Sequence, residues 1–290
     1  MRLSVSPQPE EHEAFYKELT ARNRGLVAPD LQSALRRARF VIAGCGSTGG
    51  AVLMPLVRTG AECLVLLDPG EYELSNLNRQ DATLEDVGRN KARACADRLL
   101  AVNPFCSIDV HEEGVVASAV SDIVREGDFV IDAIDVTSQE GIDAKLALHA
   151  VATSKRLTVM TAYDIAATQF IEIFDYRKVR KPLGGRVRNP DAGAEAILRS
   201  LIPPLALPRE IFSVLLERRR DPTLGFPQLA MTSTLLGALA VEIVLRLLAG
   251  KPVKRRIRVD LGDLVRPTLR RAAGQARTKL DLADLWVKMR

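Results

Sequence analysis

The stretch Phe40-Val41-Ile42-Ala43-Gly44-Cys45-Gly46-Ser47-Thr48-Gly49-Gly50 decides how the rest of this 290-residue chain is read. Phe40 to Ala43 predict a short buried strand, four apolar residues with β-branched Val41 and Ile42 at the centre. Gly44, Gly46 and Gly49 then stand at G-x-G-x-x-G spacing, and a helical pattern runs from Ser47 to Arg58. Gly44 allows a tight turn, Gly46 lets backbone approach a phosphate, and Gly49 lets the helix pack on the strand. The helix start offers free N–H groups and the positive end of a dipole to an anion. A second strand, Cys63 to Leu67, ends at Asp68 about 20 residues further on, where an acidic residue can hold ribose hydroxyls. The glycine spacing alone is a weak signal. A strand before it, a helix after it and Asp68 beyond make it a nucleotide site.

Working outward, the pattern alternates strand and helix. Asn90 to Leu100 predict a helix, Ser107 to His111 a strand, Ala117 to Arg125 a helix and Asp128 to Ala133 a fourth strand leading into Ile134-Asp135. Gly141 to Ser154 predict a helix, and Leu157 to Tyr163 and Thr168 to Asp175 two strands. This alternation implies an α/β fold, a Rossmann-like, doubly wound and mainly parallel sheet with added antiparallel strands. Upstream, residues 10–23 read as a polar helix stopped near Gly25, and Asp30 as the cap of a second helix through Arg37. Residues 176–227 change character, with many prolines, Gly184-Gly185 and Arg/Lys clusters; helices are expected at Glu195 to Leu201 and Arg209 to Arg219. A long apolar helix from Gln228 to Ala249, a strand from Arg256 to Leu261 and a short helix from Asp281 to Lys288 close the chain. The domain reading is an N-terminal helical segment at 1–39, a nucleotide-binding Rossmann-like domain at 40–175, a crossover or insertion at 176–227, and a C-terminal helix and strand at 228–290 completing the same domain.

Composition narrows the class. A hydrophobic share of 47% suits a soluble globular chain, and 4% aromatics argue against base-stacking platforms. The net charge is +5, with late clusters at Arg218 to Arg220 and Lys254 to Arg258, and at Arg266, Arg270 and Arg271. These read first as solvated basic surface and leave tRNA open as a partner. The four cysteines, Cys45, Cys63, Cys95 and Cys106, form no C-x-x-C pair, which speaks against a cysteine zinc site. Met1 to Asp30 is too charged for a secretory signal, and Leu235 to Ala249 carries Glu242 and Arg246. The expectation is a cytoplasmic protein without a membrane partner. His12, His111 and His149 are scattered and receive no role, and Asp132 is read as structural.

The nature of the nucleotide follows from charges beyond the loop. Asn76 and Arg79 sit in Leu74 to Gln80, just past the second strand; Lys91 begins the next helix, and Asp135 stands at the end of the fourth strand. A triphosphate wants cations from several directions and a carboxylate for a metal ion, whereas a dinucleotide needs only its pyrophosphate site. The set therefore favours ATP over NAD. A Rossmann oxidoreductase is disfavoured further because no histidine is placed for hydride transfer.

With these residues assembled, the chain resembles the ThiF/MoeB/HesA family, bacterial relatives of ubiquitin-activating enzymes. The likeness covers about residues 20–175 and resumes at about 228–262. It rests on Ile42 to Gly50, on Leu66 to Asp68 with Leu74 to Gln80, on Val87 to Ala92, on Val130 to Asp135 and on the late helix from Ser233 to Gly250. The resemblance implies Mg-ATP and activation of a terminal carboxylate, that of a ubiquitin-like protein or a peptide, as an acyl adenylate. It implies that Gly44, Gly46 and Gly49 receive the nucleotide, that Asp68 takes the ribose, that Asn76, Arg79 and Lys91 contact phosphates, and that Asp135 orients magnesium. It also implies a homodimer in which an N-terminal arginine reaches the neighbour's ATP; Arg22 is the match, with Arg24 as rival. The implied chemistry is attack of the substrate carboxylate on the α-phosphate, with fixed cations and Mg²⁺ stabilising the charge that builds.

The chain departs from the family's pattern in two respects. No cysteine follows Cys106, so transfer through a thioester is not expected. Val136 stands where an asparagine is usual, and the segment Val136 to Ile142 is a few residues longer. The main expectation is thus an adenylating enzyme without a thioester step. The alternatives are a tRNA-modifying enzyme of dehydratase type and a non-catalytic nucleotide-binding partner subunit.

Overall fold

The computed structural model describes residues 9–189, 192, 194–221, 224–269, 277–278 and 281–282. In chain order its elements are α1 (Pro9–Leu19), α2 (Pro29–Arg37), β1 (Arg39–Ala43), α3 (Ser47–Thr59), β2 (Cys63–Leu67), α4 (Lys91–Val102), β3 (Ser107–His111), α5 (Val120–Ile123), β4 (Phe129–Asp132) and α6 (Gln139–Ser154). There follow β5 (Thr158–Ile165), β6 (Thr168–Asp175), α7 (Ala194–Leu201), α8 (Ile211–Arg220), α9 (Ala230–Leu248), β7 (Arg256–Asp260) and α10 (Leu261–Val265). The strands form a seven-stranded sheet in the order β3-β2-β1-β4-β5-β6-β7. Pairing is parallel from β3 to β5 and antiparallel for β5–β6 and β6–β7. This is the expected doubly wound α/β architecture.

Alternation along each strand divides the core between two faces. Phe40, Ile42, Leu64, Leu66, Ile131, Met160 and Ile171 face one side, with residues of α3, α4 and α9. Val41, Ala43, Val65, Val130 and Val159 face the other, with residues of α6 and α7. Helices α3 and α6 therefore leave the adjacent strands β1 and β4 toward opposite faces, and the crevice between those strand ends is the topological switch point of the sheet. The α9 helix is long and apolar enough to cross a bilayer by composition. Here it lies on α3 instead: a Cβ on Gly237 would come within 2.4 Å of the Ala51 carbonyl, so glycine permits the close crossing.

Several boundaries differ from the sequence reading, each for a local reason. Asp30 does not cap α2; Pro29 occupies the first turn behind Ala28, as proline's fixed φ favours. The first helix stops at Leu19 and continues only as a 3-10 turn over Ala21–Asn23. The expected helix from Ala117 to Arg125 shrinks to Val120–Ile123. Ser138 starts α6 earlier than expected, because its hydroxyl accepts the Gly141 N–H at 3.2 Å. Cys63 is half-buried rather than fully covered. Segment 176–227 packs on the sheet through Ile197, Leu201, Ile202 and Phe212. Much of the late basic cluster is consumed in ion pairs: Arg255 and Arg256 with Glu172, Arg258 with Asp260, and Arg266 with Glu210. Residues 1–8, Arg270, Arg271 and the expected terminal helix beyond Leu282 lie outside the described residues.

Candidate functional site

The glycine loop has the geometry its spacing implies. Gly44 adopts φ +92°, and a Cβ there would lie 2.4 Å from the Ala133 carbonyl oxygen, so β4 closes directly against the loop. A Cβ on Gly49 would lie 1.8 Å from the Gly44 carbonyl, so only glycine lets α3 start this close to β1. Gly46 is different. An added Cβ would meet nothing nearer than 3.7 Å, and what it would meet is the Gln80 amide. Gln80 was not foreseen, and its buried Oε1 has no hydrogen-bond partner. The Gln80 amide thus lies in ordinary van der Waals range of the Gly46 position, and its Oε1 is a buried acceptor that only a donor such as a hydroxyl would satisfy.

Asp68 grips this loop. Its Oδ2 accepts the Cys45 N–H at 2.6 Å and its Oδ1 accepts the Gly70 N–H at 2.8 Å. Lys91, the first residue of α4, is brought alongside: a Cβ on Gly70 would lie 3.1 Å from Asp68 Oδ1 and 3.3 Å from Lys91 Nζ. Asn90 fixes that turn by donating from Nδ2 to the Asp68 carbonyl at 2.9 Å. Asp135 lies two residues past Ala133 and is exposed, its Oδ1 accepting the Thr137 N–H at 3.0 Å. Ser138, not Asp135, caps α6, so the Asp135 carboxylate is not spent on the helix.

Arg79 and Asn76 lie on the loop that rims the crevice. Asn76 is buried, and its Oδ1 accepts the Glu73 N–H at 3.2 Å in a capping box of the 3-10 turn Leu74–Asn78. Its side chain thus shapes the loop that ends at Arg79. The Arg79 guanidinium reaches across to the start of α9, where Nε donates to Gln228 Oε1 at 2.5 Å. Asp164, near the end of β5, was also missed. It accepts from Ser233 at 2.9 Å, and burial pushes its carboxyl above the usual range against hydrogen bonds from Ser233 and Ser47 and the charge of Arg79. An acidic residue inside an apolar strand was the available signal for it.

Arg22 is not brought to this group. It is exposed in the 3-10 turn Ala21–Asn23, whose Asn23 donates to the Thr59 carbonyl at the C-terminal end of α3 at 2.9 Å. The glycine loop is at the other end of that 13-residue helix, about 18 Å away at 1.5 Å per residue. Arg24 shares the same exposed turn.

The histidines fall into different settings. His12 Nε2 bonds Glu62 at 2.9 Å, and His111 Nδ1 bonds Glu113 at 3.1 Å. His149 is fully buried behind the site. Its Nε2 donates to Asp132 Oδ2 at 2.8 Å and its Nδ1 accepts from Tyr176 Oη at 2.5 Å. Thr161 Oγ1 donates to the same Asp132 oxygen at 2.7 Å, and the Lys145 ammonium pairs with it too. Burial holds the His149 pKa below its ordinary 6.5, opposed by Asp132 and helped by the charges of Lys145 and Arg186. The sign for stability follows. Between the folded value and 6.5 the unfolded histidine binds a proton that the folded one refuses, so stability falls as pH drops below about 6.5. Urea unfolding measured from pH 7 to pH 5 should lose up to about 1.4 kcal/mol per pH unit from this group. A His149→Gln variant should flatten that slope; an unchanged slope would mean His149 is not the group responsible.

Comparison with known proteins gives four likenesses. The sequence model of the ThiF family matches residues 20–277. The chain is 33% identical over 141 residues to the probable adenylyltransferase/sulfurtransferase MoeZ of Mycobacterium tuberculosis, covering 47% of this chain and 36% of that protein. It is 30% identical over 171 residues to the tRNA threonylcarbamoyladenosine dehydratase of Haemophilus influenzae, covering 57% of this chain and 63% of that one. It thus spans less than two thirds of either relative. Its fold is shared with the crystal structure of PaaA at a TM-score of 0.62 and 21% identity, over 90% of this chain and 83% of PaaA.

Proposed function

The chain belongs to the ThiF family, and from that premise we propose that it is an Mg-ATP-dependent adenylyltransferase that activates a terminal carboxylate as an acyl adenylate. The observation that carries this reading is the glycine loop at the α3 N-terminus, gripped by Asp68 through the Cys45 N–H at 2.6 Å with the Lys91 ammonium alongside. Asp68 and Lys91 stand on one side of that loop, and Asp135 leads off from β4 on the other. The relatives' names, an adenylyltransferase and a dehydratase, support the class.

In this reading the α3 N-terminus and Gly46 receive the phosphates, while Lys91 and Arg79 balance their charge. Asp68 exchanges its bond to the Cys45 N–H for the ribose. The substrate carboxylate is already ionised at neutral pH, so it attacks the α-phosphorus without a general base and pyrophosphate leaves. Magnesium would be held by Asp135 together with the phosphates, neutralising charge on the phosphoryl oxygens. The donor set fits that ion: Mg²⁺ is usually bound by one or two carboxylates plus substrate phosphates, and Asp135 offers an exposed carboxylate. All four cysteines are free, with Cys45, Cys95 and Cys106 buried. No thioester step is assigned, and the reading is of an enzyme of the reducing cytoplasm.

A homodimer belongs to the same reading. Arg22 sits at the far end of α3 from its own glycine loop, so it serves a site only across a subunit boundary. Leu26, 89% exposed beside that turn, and Leu74, 67% exposed near Arg79, give such a boundary apolar contacts.

Thermal shift with ATP, ADP, NAD and FAD, with and without Mg²⁺, tests the nucleotide. Pyrophosphate exchange driven by small proteins or peptides with free C-termini tests the chemistry. Stabilisation by NAD or FAD instead of Mg-ATP would overturn it. Nucleotide binding without exchange for any carboxylate would favour the partner-subunit alternative. The dehydratase relative favours tRNA as a second substrate, read by tRNA-dependent release of pyrophosphate. Gly46→Ala, whose Cβ makes only ordinary contact with the Gln80 amide at 3.7 Å, should stay within about 1 kcal/mol of the parent yet lose the ATP-induced shift, because its methyl group stands where the loop backbone would approach the phosphates. Gly44→Ala should lose stability outright, through the close Ala133 carbonyl and the positive φ.

A further inference from the structure

Arg79 is not a freely swinging arginine. Its Nε donates to Gln228 Oε1 at 2.5 Å, and its Nη1 donates to the Ser75 carbonyl at 3.1 Å and to Asn78 Oδ1 at 2.9 Å. Among the described residues, Nη2 is left without a hydrogen bond. Two of the three guanidinium nitrogens are thus fixed from two sides, one by the rim loop and one by a residue remote in sequence.

Gln228 is itself rigidly placed. Its backbone bridges Ala166 in the turn between β5 and β6, and Thr232, in the first turn of α9, donates to the Ala166 carbonyl at 2.6 Å. Gln228 is also where the chain returns from segment 176–227 to α9. An amide acceptor at this point transmits the position of the β5–β6 turn and of α9 to the Arg79 guanidinium.

We propose that Gln228 is a positioning residue for the adenylation reaction: its Oε1 fixes Arg79 through Nε so that Nη2 is presented to the triphosphate. This rests on the function proposed above. A guanidinium held before the substrate arrives needs no reorganisation as charge builds, and fixed donors of this kind raise kcat more than they lower KM. Correct aim of Arg79 then depends on the return of segment 176–227 to the sheet.

The test uses the full chain with Gln228→Leu, which keeps the volume but removes the acceptor, and Gln228→Glu, which keeps the acceptor. In pyrophosphate exchange, Gln228→Leu should lower kcat about tenfold with KM for ATP within about threefold. Gln228→Glu should recover most of kcat, while its added charge raises KM. The second readout is the ¹⁵Nε–¹H NMR signal of Arg79, assigned by its loss in Arg79→Lys. It should be protected from solvent exchange in the parent and in Gln228→Glu, and exchange rapidly in Gln228→Leu. A protected signal in Gln228→Leu, or an unchanged kcat there, overturns the proposal. If the parent shows no pyrophosphate exchange, the function reading fails while the NMR arm still decides whether Gln228 holds Arg79.

Discussion

Asp135→Asn should lower ATP–pyrophosphate exchange by about two to three orders of magnitude, the range seen when one preorganised electrostatic contact to a transition state is removed. Its thermal midpoint should stay within about 2 °C of the parent. The separation of the two effects is the point. Asp135 is exposed, and among the described residues its carboxylate accepts one hydrogen bond, from the Thr137 backbone N–H. An asparagine side-chain oxygen accepts the same bond, so the loop keeps its shape. Ser138 still caps α6, and Gly141 still packs on the Asp135 carbonyl, where a Cβ would come within 1.8 Å. On the function proposed above, what is lost is the one negative charge that would hold the magnesium against the phosphates. Exchange kinetics beside a melting curve check this. Exchange within tenfold of the parent would remove Asp135 from the chemistry, and a large drop in midpoint would make its role structural.

The parts of the site legible in the sequence are those that local rules impose. Gly44 and Gly49 are demanded by carbonyls within a few residues or on the next strand, and Asp68 and Asp135 stand where parallel strands end. The two-faced alternation in β1, β2 and β4 follows from burial on both sides of the sheet, which also made these strands readable as apolar runs. The residues that escaped notice are polar side chains whose partners lie far away in sequence. Gln80 matters because its unpartnered Oε1 lies beside Gly46, Gln228 because it meets Arg79 from the start of α9, and His149 because α6 carries it onto Asp132. No periodicity marks such pairs; only the packed fold creates them. Asp30 failed as a cap for the opposite reason: two local rules competed, and proline's preference for the first turn prevailed. Arg22 is legible only as a motif: in this chain its turn stands at the opposite end of α3 from the glycine loop.

Asp132→Asn should destabilise the fold by about 3–5 kcal/mol, the range for breaking a buried ion pair by removing one member. Asp132 is fully buried and Lys145 is 1% exposed, so neither solvent nor salt can replace the lost partner. The carboxyl is held well below its usual range: burial opposes ionisation, but the charge of Lys145 and the bonds from His149 and Lys145 outweigh it. Its contribution is therefore complete above the ordinary value of 3.8 and is lost only as pH falls through the lower folded value. At neutral pH the substitution acts at full strength. Lys145, His149 and Thr161 all aim donors at Asp132 Oδ2. Asparagine is nearly isosteric but has at most one acceptor oxygen, and its NH₂ group must point at donors. For a chain of this size such a loss lowers the midpoint by about 10 °C. A second substitution, Lys145→Met, made in the Asp132→Asn background, removes the stranded ammonium and should restore more than half of the loss; additivity of the two single effects would instead show that they do not act as a pair. Because Ala133 closes on Gly44 directly after Asp132, nucleotide affinity should fall together with stability in Asp132→Asn and recover together in the double variant. Asp135→Asn, three residues away, breaks that link by removing activity alone. A midpoint for Asp132→Asn within about 2 °C of the parent would mean that the buried charges do not converge on Asp132.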